Sequence, residues 1–145
     1  MATKSSPKKA IVVAPVRPKY QYAVKFICKS SIPGTSLEDK SFIPGNYQTI
    51  VNIHNPLTKP VKFRKKLAWA IEIGPYFPGE LKGDGVATIT CQQVHDFGLH
   101  IIHGFEGFLV IESDTSLDVT AVYMAGDNKT VASIDVSQIK ERRLR

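Results

Sequence analysis

The chain has 145 residues, 43% of them hydrophobic, with nine Pro, ten Gly, two Cys and a formal charge of +6 at pH 7. This suits one packed domain with many turns, and no apolar run nears the roughly 20 residues that span a bilayer. The first twenty residues lack the apolar stretch of a secretory leader, and two cysteines are too few for a disulfide framework. The chain is therefore expected to be cytoplasmic, without membrane insertion, and to hold Cys28 and Cys91 as reduced, buried thiols.

The charge sits at the ends. Residues 1–19 carry Lys4, Lys8, Lys9, Arg17 and Lys19 with no acid, and residues 140–145 carry Lys140, Arg142, Arg143 and Arg145 against Glu141. The segment between them has slightly more acid than base. Residues 1–19 read as a basic arm whose first part is disordered, followed by the compact apolar run Ala10–Val13 closed by Pro15 and Pro18. Ile11, Val12 and Val13 are too apolar to stay in water, and flanking prolines suit an edge strand. The arm is a candidate for docking on its own domain or on a neighbour.

From Tyr20 the pattern becomes regular. Tyr22, Val24, Phe26 and Cys28 alternate with Gln21, Ala23, Lys25 and Ile27, the period-two signature of a strand. Residues 29–46 form a long loop bracketed by two Pro-Gly pairs. Residues 47–53 read as the next strand, with Tyr47, Val51 and Ile53 in phase, and an Asn-Pro turn ends it. The run 61–73 places Val61, Phe63, Leu67, Trp69, Ile71 and Ile73 on one side, broken only by Lys65. Its other phase carries Lys62, Arg64 and Lys66, a basic strip that either guards a strand edge or offers a surface to an acidic ligand or nucleic acid.

Residues 74–85, GPYFPGELKGDG, are too rich in Gly and Pro for a regular element and expose Tyr76 and Phe77 as a candidate binding loop. Residues 86–91 form a short strand, and residues 92–97 a helical turn stopped by Gly98. Phe108 to Met124, FLVIESDTSLDVTAVYM, reads as two half-buried strands around a short polar turn, and residues 131–136 as a last strand.

Cys91, His95, His100 and His103 have metal-ligand residue types, but their spacing matches no zinc module, and neither a metal nor a cofactor is assigned. Glu112, Asp114 and Asp118 read as a solvated turn rather than paired carboxylates. No nucleophile elbow, zinc-protease helix, P-loop or dinucleotide fingerprint is present, so no catalytic residue is assigned and the chain is read as a non-enzyme. His100 and His103 join Tyr76 and Phe77 as candidates for a small-molecule or carbohydrate site.

Three segments, YQTIVNIHNPLTKPVKFRKKLAW, LKGDGVATITCQQVHDFG and GFLVIESDTSLDVTAVYM, resemble in order the strand and turn pattern of the bacterial sensory rhodopsin transducer family, over residues 45–125. The ending SIDVSQIKERRL resembles the close of related uncharacterised bacterial β-sandwich proteins. The resemblance implies a cytoplasmic, non-enzymatic sandwich that forms homo-oligomers and meets partners through loops and sheet faces. The arm, the Tyr76 and Phe77 loop and the basic tails fall outside it.

The expected fold is a single antiparallel β-sandwich of about eight strands with one short helical turn, spanning residues 20–139 between the basic arm and the basic tail 140–145. The favoured function is homo-oligomeric assembly, the arm adding a strand to a neighbour or packing at a subunit contact. The alternatives are a module for an acidic ligand or nucleic acid, and a loop-built ligand site. Self-association is the favoured partner reading, another protein next, nucleic acid less so.

Overall fold

The structure is a computed structural model that describes residues 17–98 and 103–145. Within them the chain forms nine strands: β1 (Tyr20–Ser31), β2 (Gly45–His54), β3 (Val61–Ala68), β4 (Phe77–Leu81), β5 (Val86–Ile89), β6 (Phe105–Ser113), β7 (Asp118–Gly126), β8 (Val131–Gln138) and β9 (Arg142–Arg143). A 3-10 helix, Cys91–Phe97, separates β5 from β6 and ends at Gly98, whose φ of 69° is the left-handed conformation that glycine adopts without strain. All pairings are antiparallel, and the architecture is the expected all-β sandwich.

One sheet runs β4-β3-β6-β1, with β9 on the far edge of β1. The other runs from β2 through β7 to β8, with β5 on the remaining edge of β2. β1 belongs to both: Tyr20 to Cys28 pair with β6, while Lys29 to Ser31 pair with β2. The two inner faces meet in one core of Tyr22, Val24, Phe26, Val51, Ile53, Phe63, Leu67, Leu109, Ile111 and Val119, each at most 2% exposed. These are the alternating positions of their strands, because period two sends every second side chain to one face.

Four departures have physical causes. β3 stops at Ala68 because the chain turns back on itself: Trp69 N donates to Glu72 O and Gly74 N to Leu67 O. The turn throws Ile71 and Ile73 into solvent, 89% and 71% exposed, although their phase predicted the inner face. The Gly- and Pro-rich run 74–85 contains β4, with Gly79 opposite Phe63; the missing side chain is what lets the Phe63 ring lie across the strand, since a Cβ there would fall 2.4 Å from it. The basic tail is in part a strand, Tyr20 facing Arg143 and Gln21 facing Arg142.

The fourth departure concerns the cysteines. Cys28 and Cys91 form a disulfide, their Cα atoms 5.5 Å apart and 63 residues apart in sequence. The fold brings the 3-10 helix to the point where β1 passes between the sheets, a proximity that no local pattern encodes. The expectation of two reduced thiols is thereby corrected. Among the described residues no helix is long and apolar enough to cross a membrane.

Candidate functional site

The basic strip lies on the outer face of β3, but acids oppose it. Lys62 sits across from Glu80, and Arg64 across from Glu112. Glu112, only 5% exposed, accepts hydrogen bonds from Arg64 Nε at 2.8 Å and Gln21 Nε2 at 3.0 Å, and Arg64 Nη2 lies 2.6 Å from it. Burial alone would raise the Glu112 carboxyl, yet the bonds from Arg64, Tyr76 and Gln21 hold it below the usual carboxylate range. Glu112 is thus the anchor of a charge cluster and no part of a solvated turn. Asp118 lies apart from it, against His54, and Asp114 is exposed.

Tyr76 completes that cluster. Arg64 lies 4.1 Å and Lys66 4.4 Å from the ring centroid, so two of the three strip cations rest against one aromatic ring. Burial first, then the Glu112 carboxylate, push the phenol up to about 12. Phe77 turns the other way and meets Phe97 edge-on at 5.9 Å. Tyr76 and Phe77 are therefore half-buried packing residues, where an exposed binding loop was expected. Lys65 breaks the inner phase as its sequence position indicates. Its Nζ lies 6.0 and 5.7 Å from the Phe63 and Phe97 centroids, and burial lowers its pKa.

The expected cluster of Cys91 and histidines is partly assembled. Cys28, Cys91, His95 and His103 line one cavity of about 340 Å³, together with Lys29, Asn46, Tyr47 and Gln48 and an apolar floor that includes Val94 and Phe105. Cysteine sulfurs joined to each other cannot serve a metal or act as nucleophilic thiolates. Among the described residues no group of three His, Cys, Asp or Glu side chains is placed to hold a metal ion. His100, like Ile11, Val12 and Val13 of the arm, lies outside the described residues.

Two features escaped the reading of the sequence. His54, at the end of β2, has Asp118 Oδ2 2.8 Å from Nδ1 and Asp84 Oδ1 2.7 Å from Nε2. Hydrogen bonds to Asp118 and then Asp84 raise its pKa above the usual histidine value. Three separate elements supply this clamp, so only the folded topology reveals it.

The second is the outer face of the β2-β7-β8 sheet. Registers align Ile50, Val122 and Val136 in one row, and Gln48, Met124 and Ile134 in the next. Val131, Ile134 and Val136 are 62%, 63% and 66% exposed. In β8 the polarity is inverted: Ser133 and Asp135 pair with the inner-phase residues Ala125 and Tyr123, while its apolar residues face outward. A sheet with one solvated face normally places polar residues there. Among the described residues no strand pairs with the second edge of β8. The signal was present in VASIDVSQ, where the apolar residues can be counted, but which phase faces the core depends on the register with β7.

Comparison with known proteins bears on the fold. No protein-family model and no curated protein sequence matches the chain. Among solved structures, the crystal structure of Thermotoga maritima 1070 is similar, with a TM-score of 0.59 at 6% identity, covering 85% of this chain and 93% of that one. At that identity the likeness is one of fold.

Proposed function

We propose that the protein is a non-catalytic assembly module that associates with further copies of itself through the outer face and free edge of β8. The carrying observation is the inverted polarity of that strand. An apolar row on the solvent side gains nothing for the isolated fold, and burying it drives association at roughly 25 cal/mol per Å². β8 contains neither Lys nor Pro, two of the residues with which edge strands commonly avoid pairing.

The arm's apolar run, Ile11, Val12 and Val13, is suited by composition to strand addition. Leu144 N donates to Lys19 O, and three residues separate β8 from β9, so the point where the arm departs is close in sequence to the end of β8. Seven residues, 10–16, could pair along much of an eight-residue β8 in another copy, by main-chain hydrogen bonds that demand little of side chains. The resemblance to the transducer family favours the same homo-oligomeric reading.

A surface for nucleic acid or an acidic ligand is supported less well, because Arg64 and Lys66 are engaged by Glu112 and Tyr76. The disulfide bears on compartment. Disulfides in the cytosol of most organisms are transient, so a cytoplasmic location requires the Cys28–Cys91 pair to open and close.

Light scattering coupled to size-exclusion chromatography tests the assembly. Full-length protein should elute above the monomer mass, Ile134→Lys with Val136→Lys should return it to monomer, and removal of residues 1–16 should weaken association. A strictly monomeric full-length chain at 100 μM or so would overturn the proposal.

A further inference from the structure

The Cys28–Cys91 disulfide differs in setting from a bond sealed in a core. Both cysteines are half-buried and line the cavity of about 340 Å³, and the imidazoles of His95 and His103 line it too. Lys29 is adjacent to Cys28, but its ammonium is taken by Asp39, which leaves the histidines as the uncommitted proton donors of the cavity among the described residues. The bond tethers a seven-residue 3-10 helix whose remaining anchors are the buried Val94 and Phe97.

We infer that this cavity is a thiol–disulfide exchange site, where a dithiol reductant, small or protein-borne, opens the Cys28–Cys91 bond without unfolding the sandwich. One thiolate of the reductant attacks a cysteine sulfur, and the S–S bond breaks with its electron pair leaving on the other sulfur. That thiolate takes a proton from His95 or His103, the histidines that line the cavity. The reductant's second thiol then attacks the reductant's own sulfur in the mixed disulfide, and the S–S bond to the cysteine breaks with its electron pair leaving on the cysteine sulfur. That sulfur takes the second thiol's proton, the proton shed by the first attacking thiol restores the histidine, and the reductant departs as its own disulfide. Two electrons and two protons have passed to the protein, and Cys28 and Cys91 are thiols. Exchange needs an approachable sulfur and a stabilised leaving thiolate; the cavity supplies the first and the imidazoles the second. Opening frees the helix from β1, while the main-chain pairing of Cys28 with Phe105 keeps the end of β1 in its sheet.

The test uses the full-length protein and dithiothreitol. As purified under air, the chain should show no free thiol by titration in denaturant. Under native conditions dithiothreitol should release two thiols at a rate proportional to its concentration, with alkylation mapping to Cys28 and Cys91. Amide exchange should rise in residues 91–97 while β2 and β7 stay protected. His95→Gln with His103→Gln should slow the reduction at least threefold near pH 6.5, with its thermal midpoint unchanged. Free thiols in the purified protein would overturn the inference. So would a reduction rate that is independent of dithiothreitol and equal to that of global unfolding. An unchanged rate in the double histidine variant would overturn the role of the imidazoles.

Discussion

His54 shows how much a single side chain can depend on the fold around it. With an aspartate on each ring nitrogen, its imidazolium is favoured in the native state, and its pKa is raised. The stabilisation is fully present below the unfolded value of about 6.5 and is lost as pH rises through the folded value. A proton NMR titration should therefore find His54 above the usual histidine range, and Asp118→Asn should bring it down. Glu112 has the opposite sign: its depressed carboxyl contributes stability above about pH 4.5 that is lost as pH falls through the folded value. Glu112→Gln keeps the shape but removes the charge opposite Arg64, and should cost roughly 2 kcal/mol in urea unfolding at pH 7. Neither site was legible in the sequence. His54 draws Asp84 and Asp118 from positions 30 and 64 residues away, and Arg64 finds Glu112 48 residues on.

At the scale of elements, the sequence was most legible where a strand is simply half-buried. Tyr22, Val24 and Phe26 in β1, and Val119 and Ala121 in β7, alternate because they face the core, and the alternation survives in the chain as written. β3 was legible only to its end. Ile71 and Ile73 keep the phase, but a turn closed by Trp69 and Glu72 removes them from the strand. β4 was hidden because Pro78 and Gly79 read as loop, whereas Gly79 is the seat of the Phe63 ring. Gly79→Ala should displace that ring and cost about 1–3 kcal/mol, visible as a lower urea midpoint with an unchanged slope. Cys28→Ser with Cys91→Ser relaxes the unfolded chain across 63 residues and should lower stability by about 2–4 kcal/mol.

For the whole molecule, the division of labour between sheets is the main consequence. The β3-β6-β1 sheet turns charge outward and pairs Arg64 with Glu112 and Lys25 with Glu106, with Lys62 in register opposite Glu80. The β2-β7-β8 sheet turns Ile50, Val122 and Met124 outward alongside Ile134 and Val136. An assembly that buries this second face rests on apolar contact, so its mass in light scattering should change little between 50 and 500 mM salt. An assembly driven by the basic arm and tail would dissociate over the same interval. Ile134→Lys alone should leave the unfolding free energy of the isolated chain within about 0.5 kcal/mol of the parent, since that side chain is 63% exposed. The all-β class was readable from strands every ten residues or so; the sharing of β1 by both sheets was not, because nothing in Cys28-Lys29 marks where its partner changes from β6 to β2.

The hydrogen bond from Leu144 N to Lys19 O carries a practical consequence. The first and last described strands end side by side, so a chain begun at Arg17 would need only a few added residues to close the domain into a ring. Such a ring could then be reopened at the exposed turn Asp127–Thr130 without breaking any strand. The rearranged chain would begin with β8. Tandem copies each begun at Arg17 and fused end to end need only a short linker for the same reason. An affinity tag on Arg145, by contrast, would crowd the point from which the arm departs.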